Sequence, residues 1–108
     1  MTPATASGNA PLAAQLRLIR AAADFLEQAG IDGLSVWADP GEIVIQVPGT
    51  SGGTLARTGK VARLAAIAGC LPAPDPHPGR TRGWIHARGT FAGHRVHIYT
   101  PVSQEEAP

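Results

Sequence analysis

The sequence predicts an α+β domain in which two helices lie on one face of a four-stranded antiparallel sheet. Three observations support this prediction. Two stretches repeat apolar residues every three or four positions, as amphipathic helices do. Each stretch is followed by two alternating runs separated by turn-forming residues, as in a β-hairpin. The length of 108 residues suits one domain, which we place at 11–101, between a flexible leader at 1–10 and an acidic tail at 102–108.

The first helix is predicted over 11–29. Pro11 suits the first helical turn, and Gly30 can adopt the left-handed conformation that ends a helix. One side is mostly charged or polar, so the helix is expected to face water there and the core on the other side. The apolar stripe consists of Leu12, Leu16, Ile19, Ala23 and Leu26, widened by Leu18, Ala22, Phe25 and Ala29.

The first hairpin is predicted around the turn Pro40-Gly41. With that turn, Val36 lies opposite Ile45, and the neighbouring apolar pairs continue one apolar face. Trp37 and Val44 then share the other face of the sheet.

The second helix is predicted from apolar residues at helical spacing that end near Gly69. Thr54 and Thr58 are both suitable N-cap residues, so its start is open between them. Residues 72–80, which contain four prolines, are expected to form an extended surface connection. The apolar stripe of this helix is Val61, Leu64, Ala65 and Ala68.

The second hairpin is predicted between residues 84 and 100, around a turn at Thr90–Gly93. This pairing places Ile85 opposite Ile98 on an apolar face. On the other face three cross-strand pairs are expected: Trp84 with Tyr99, His86 with His97, and Arg88 with Arg95.

The core is expected to be thin, because alanine supplies much of the apolar content of 44%. A thin core beside an uncovered sheet face favours a homodimer. The residues expected in the core are Leu16, Ile19, Phe25, Leu26, Val36, Ile45, Leu64, Ile67, Ile85 and Ile98.

The sheet face without helices is the predicted functional surface. Aromatic rings can stack on bases or fill a protein interface, and arginine binds phosphate or carboxylate groups. Two arginines directly opposite each other repel unless an anion or an acidic partner lies between them. The candidate binding residues are Trp37, Trp84, His86, Arg88, Arg95, His97 and Tyr99.

We therefore expect a non-enzymatic binding module that acts through this face, as a homodimer or with another protein. One alternative is a nucleic-acid-binding protein that uses the same arginine and aromatic residues. Another is a small metal- or histidine-dependent enzyme. Residues 51–101 carry six arginines and one lysine against one aspartate, which favours an anionic partner although the net charge of the chain is +1.

No catalytic residue, metal site or cofactor is predicted. His86 and His97 could share a metal ion, but the sequence offers no complete set of ligands. The glycine-rich stretch before Lys60 lacks the spacing and the hydroxyl residue of a P-loop. Cys70 follows a helix C-terminus, which disfavours a thiolate. Because no apolar run has membrane-spanning length and no secretory leader is recognised, we expect a cytoplasmic protein without a membrane partner.

The segment at 89–101, Gly-Thr-Phe-Ala-Gly-His-Arg-Val-His-Ile-Tyr-Thr-Pro, follows Trp84. Together with the helix–hairpin–helix–hairpin order, it resembles the C-terminal hairpin of small uncharacterised proteins from actinobacteria and their phages and plasmids. The resemblance covers little more than this hairpin. It implies an intracellular bacterial setting and a mobile-element origin, and it assigns no functional residue.

Overall fold

The computed structural model describes residues 12–50, 52–76 and 82–103. These residues form two helices and one five-stranded sheet, so the α+β class is confirmed. Neither described helix is long and apolar enough to cross a membrane. The helices are α1 (Leu12–Ala29) and α2 (Thr54–Ile67). The strands are β1 (Ser35–Asp39), β2 (Glu42–Gln46), β3 (Ala73–Pro76), β4 (Arg82–Phe91) and β5 (His94–Ser103).

The predicted leader at 1–10 lies outside the described residues. The predicted tail at 102–108 is described only at its first two residues, which belong to β5. The strand therefore continues beyond the predicted end of the domain at residue 101.

The sheet is mixed, and its strand order is β1-β2-β5-β4-β3. β2 pairs with β5 in parallel, whereas the other neighbours are antiparallel. Beyond β2, the backbone N–H of Val47 donates to the carbonyl oxygen of Tyr99 at 2.9 Å, and the Thr100 hydroxyl donates to the Val47 carbonyl at 2.7 Å. The prediction of a four-stranded antiparallel sheet is therefore wrong in strand number and in strand direction. Alternation within a hairpin identifies local partners only, and it does not determine which strands of two hairpins meet.

The fifth strand comes from the proline-rich segment, which we expected to be a surface connection. Ala73–Pro76 pairs antiparallel with β4 at the outer edge of the sheet. Proline lacks an N–H donor and is tolerated on an edge strand, because one side of that strand has no partner strand. Residues 77–80 of the same segment lie outside the described residues.

β4 and β5 form the predicted second hairpin, but the register is displaced by two residues. Residues 92–93 form a two-residue turn with φ of 52° and 81°, as in a type I′ turn. The predicted pairs Trp84 with Tyr99, His86 with His97, Arg88 with Arg95 and Ile85 with Ile98 are replaced by Trp84 with Pro101, His86 with Tyr99, Arg88 with His97 and Ile85 with Thr100. Because the displacement is even, every side chain stays on its predicted face.

The first hairpin and the second helix agree more closely with the sequence. Val36 pairs with Ile45 and Trp37 pairs with Val44, as predicted. The predicted stripe of α2 is buried at Val61, Leu64, Ala65 and Ala68. Both predicted N-caps are wrong, because the N-cap of α2 is Gly53, without a side-chain hydrogen bond. The hydroxyl of Thr58 instead donates to the backbone carbonyl of Thr54 at 2.7 Å.

α1 matches the predicted range from residue 12 to 29, and Pro11 lies outside the described residues, but the helix presents a different side to the core. Its buried residues are Leu18, Ala21, Ala22, Phe25 and Ala29. Leu12, Leu16 and Ile19, which were expected to be the centre of the stripe, are 69%, 38% and 48% exposed. Two apolar stripes lie side by side on this helix, and periodicity alone does not show which stripe packs against the core. Phe25 determines the choice by packing edge-on against Phe91 of β4, with ring centroids 5.1 Å apart.

One core lies between the helices and the sheet. Of the residues expected there, Phe25, Ile45, Leu64 and Ile98 are fully buried, and Leu26, Ile67 and Ile85 are partly buried at its border. Val36 is 36% exposed, because it lies on the edge strand β1. Other large side chains are also fully buried: Ile43, Val47, Val61, Val96 and Thr100. Except for Thr100, the sequence placed them on the apolar faces of the hairpins and of α2 but did not include them among the expected core residues.

Arg57 is a buried cation of α2 with 5% exposure. Its guanidinium donates to the carbonyl oxygens of Gly49 and Gly52 in the preceding loop, the first at 3.1 Å. It also donates to the carbonyl of Pro101 in β5 at 3.1 Å. One side chain therefore connects the loop after β2, the start of α2 and the end of β5.

We predict opposite stability changes for two glycine substitutions. A Cβ on Gly89 would overlap the carbonyl oxygen of Ala68 and lie 2.9 Å from Sγ of Cys70, at the close approach where Thr90 N–H donates to Ala68. Gly89→Ala should therefore lower the free energy of unfolding by about 1–3 kcal/mol, as overpacking does. Gly59→Ala, in α2 with open space around it, should raise the same quantity by about 0.5–1 kcal/mol.

Urea unfolding of both variants and the parent checks this pair. A Gly89→Ala variant as stable as the parent would contradict the close contact between β4 and the end of α2.

Candidate functional site

One face of the sheet carries no described helix, and we call it the open face. Side chains alternate along a strand, so the neighbours of the buried residues on β2 and β5 point away from the helices. These side chains are all exposed or half-buried. The open face includes Trp37, Glu42, Val44, Gln46, Trp84, His86, Arg88, Arg95, His97 and Tyr99. It includes all seven binding residues predicted from the sequence.

Five of these seven residues line one depression, which we call the cleft. It has a volume of 210 Å³, is open to solvent and is lined by Trp84, His86, Arg88, His97 and Tyr99. The rings of Trp84 and Tyr99 meet edge-on at 5.3 Å, and His97 lies 5.5 Å from Tyr99. The rings of His86 and His97 lie 6.0 Å apart. The cleft therefore combines one guanidinium and two imidazoles with an aromatic pair.

The register of β4 and β5 explains how these side chains meet. Arg88 pairs with His97, and His86 pairs with Tyr99. The ring contacts between Trp84 and Tyr99, and between His86 and His97, join diagonal positions, which remain within reach of large side chains. A tight hairpin thus holds the lining of the cleft, which favours a preformed site.

The other two predicted residues lie beside the cleft. Trp37 is 45% exposed and lies on β1, in one row across the sheet with Val44, His97 and Arg88. With neighbouring strands about 4.8 Å apart, that row spans about 14 Å. Arg95 is exposed on β5, in a second row across the sheet.

Arg95 does not face Arg88, so the repulsion expected between two opposed arginines is absent from this register. Arg95 lies between Glu42 on β2 and Thr90 on β4. Its guanidinium approaches the turn between β1 and β2, at 3.9 Å from the position that a Cβ on Gly41 would take. The opposed arginine pair, from which the sequence predicted an anionic contact, is therefore not formed.

Glu42 is the residue of this face that sequence analysis missed as a candidate. In the sequence it flanks a tight turn, where acids commonly only interact with water. The parallel pairing of β2 with β5 places it beside Arg95. Only the long-range strand order carries this information.

The electrostatics of the cleft favour a neutral His97. Partial burial lowers the pKa of this imidazole from its usual value of 6.5, and the positive charge of Arg88 lowers it further. Glu42 opposes this change by raising the pKa of His97, while His86 lowers it. His97 therefore gains a proton more easily when an anion enters the cleft and offsets Arg88.

The described residues contain no group of three or more histidine, cysteine or acidic side chains that could hold a metal ion. Burial raises the pKa of the Cys70 thiol, whose Sγ donates to the carbonyl of Ala65 at 3.6 Å. This arrangement keeps Cys70 as a thiol beside the close contact with Gly89.

Comparison of the chain with protein-family models, curated proteins and solved structures finds no match. The functional conclusion therefore depends on the chemistry of the open face. The chain has two tryptophans and one tyrosine, and all three lie on that face.

We predict that two substitutions move the pKa of His97 in opposite directions. Arg88→Gln should raise the pKa toward 6.5, because it removes a positive charge, and Glu42→Gln should lower it further. NMR titration of the imidazole C–H resonances measures both shifts. An unchanged or lower pKa in Arg88→Gln would contradict the arrangement of the cleft.

The same shift predicts how stability depends on pH. Because the pKa of His97 is lower in the folded chain, the unfolded chain binds the proton first as the pH falls. The contribution of the neutral imidazole to stability is therefore complete above pH 6.5 and is lost as the pH falls through the folded-state pKa. Arg88→Gln should reduce this pH dependence, which urea unfolding at a series of pH values measures.

Proposed function

We propose that the protein is a non-enzymatic binding module that acts through its open face, with the cleft receiving a negatively charged group of the partner. The cleft is the observation that supports this proposal, because Arg88 lines it together with two imidazoles and the paired rings of Trp84 and Tyr99. Arginine binds carboxylates and phosphates through paired hydrogen bonds, and the N–H group of a nearby imidazole can donate another.

The charge of the open face supports an anionic partner. Arg88 and Arg95 are both exposed there. Among the open-face side chains that the structure describes, Glu42 is the one acid, and it lies beside Arg95. By backbone register Asp39 lies opposite Glu42 and Asp75 lies opposite Trp84, so the attraction for acidic groups is centred on Arg88 in the cleft and does not extend over the whole face.

Self-association through this face is a narrower version of the proposal. Two copies that stack face to face about a twofold axis through the cleft would bring their Arg88 side chains together, which like charges disfavour. A second copy fits better if it offers an acidic surface, such as the exposed Asp24 and Glu27 of α1. Such a contact joins two different surfaces, and another protein with an acidic surface would fit in the same way.

The second candidate function is nucleic-acid binding. The exposed indole of Trp37 favours it, since a base can stack there while phosphates meet the arginines. Both candidates use the same face, and both depend on Arg88 and Arg95.

We predict that anion binding depends on the open-face arginines. Both tryptophans of the chain lie on this face, so intrinsic fluorescence reports its occupancy directly. A polyglutamate peptide and an oligonucleotide serve as probes. At least one of them should change the fluorescence of the parent, and Arg88→Ala/Arg95→Ala should weaken its binding at least tenfold.

The matched control is Arg17→Ala/Arg20→Ala, which removes the same charge from exposed positions of α1. Exposed substitutions change stability by about 0.5 kcal/mol or less, so circular dichroism and urea unfolding should find both double variants folded. Equal weakening by the two double variants, or the absence of binding to either probe, would overturn the proposal.

A further inference from the structure

We infer that the partner of the open face is single-stranded nucleic acid, lying across the strands from Trp37 to the cleft. This inference rests on the proposed function and names the class of its ligand. Bases would stack on Trp37 and on the aromatic pair of the cleft, while phosphates would meet Arg88 and Arg95.

The aromatic residues of the chain are divided between the core and the open face. Phe25 and Phe91 pack against each other at the core. The polar-edged aromatics, Trp37, Trp84 and Tyr99, are exposed or half-buried on the open face. The carboxylates of an acidic peptide bind cations but have no ring to stack on these side chains, whereas a base has a flat face that stacks on any of them. The combination of rings and cations therefore favours a nucleic acid over an acidic protein.

The aromatic rings of the open face lie on strands that are too far apart for one nucleotide to contact them all. Trp37 lies on β1, whereas Trp84 and Tyr99 lie on β4 and β5. β5 is two strand spacings from β1, or about 10 Å, and β4 is three, or about 14 Å. A mononucleotide in the cleft does not reach Trp37, but a chain of several nucleotides does. The ligand is therefore a nucleic-acid chain of several nucleotides that crosses the sheet.

Stacking on these side chains requires bases whose flat faces are accessible to the protein. In a duplex the bases are stacked on one another, and their flat faces are not available to protein side chains. A sheet face with separated rings can accept only bases that are splayed out. The open face therefore fits single strands better than duplexes.

The charged side chains of the open face can contact the phosphates of the nucleic acid. Arg88 lies at the cleft, and Arg95 lies in the adjacent row toward the turn between β1 and β2. The two guanidinium groups can each neutralise a phosphate of the crossing strand. The carboxylate of Glu42, in the same row as Arg95, repels the phosphates of the nucleic acid. Removing its charge should therefore strengthen binding.

Fluorescence anisotropy of a labelled eight-nucleotide oligouridine measures the predicted binding to the full chain. Unlabelled competitors are uridine monophosphate, the duplex form of the oligonucleotide and a polyglutamate peptide with the same number of charges. We expect the oligonucleotide to bind more tightly than each of these three. We expect Trp37→Ala to weaken its binding by about 5- to 150-fold, the usual effect of losing one stacked base.

Three variants complete the experiment. Leu55→Ala removes an 83% exposed apolar side chain from α2 and should leave binding unchanged. Arg88→Ala/Arg95→Ala should reduce the slope of log affinity against log salt by about 1.4, which corresponds to two phosphate contacts. Glu42→Gln should increase affinity.

The outcomes separate this inference from the proposed function. If polyglutamate or the duplex binds as tightly as the single strand, or if Trp37→Ala binds like the parent, single-stranded nucleic acid is overturned as the partner. In that case the open face remains a binding surface for anions if Arg88→Ala/Arg95→Ala still lowers the affinity for the probe that binds. If no polyanion binds, both the inference and the proposed function are overturned.

Discussion

Parallel pairing of β2 with β5 joins two hairpins that are distant in the sequence into one sheet, and the remaining structure depends on it. On the helix side it sets Ile43 beside Val96 and Ile45 beside Ile98, all four buried in the core. On the other side it sets Val44 beside His97, which extends the row from Trp37 to Arg88. Without this pairing the two hairpins would have separate faces, and the tryptophan of β1 would have no fixed relation to the cleft.

Arg57 stabilises the connection that this pairing requires. A parallel pair needs a crossover between its strands, and here the crossover leaves β2 through a glycine-rich loop and enters α2. Such a loop has carbonyl groups without partners in regular structure, and the buried guanidinium of Arg57 donates hydrogen bonds to those of Gly49 and Gly52. It also donates to the carbonyl of Pro101 in β5. Hydrogen bonds to a charged group are worth about 1.5–3 kcal/mol each, so a buried arginine is tolerated where several carbonyls converge.

The limits of the sequence analysis follow from the difference between local and long-range interactions. Local patterns predicted α2 and the register of the first hairpin, because the turn at Pro40-Gly41 and the alternation around it are sufficient. The second hairpin was displaced by two residues, yet its six candidate side chains share one face, because an even displacement preserves alternation. Trp37 lies on the same face because β2 pairs with β5. The parallel pairing, the edge strand β3 and the rotation of α1 toward Phe91 depend on contacts between distant residues, which no local pattern contains. Glu42 was missed as a candidate for the same reason.

The account of the open face therefore depends on one long-range contact. Nuclear Overhauser effects between backbone protons of β2 and β5 test that contact most directly, because parallel and antiparallel pairs bring different protons together. The account predicts a parallel pattern that advances together along both strands, from Glu42 with Arg95 to Gln46 with Tyr99, together with slow exchange of the Val47 amide. An antiparallel pattern between these strands, or contacts of β5 with β1 in place of β2, would contradict it.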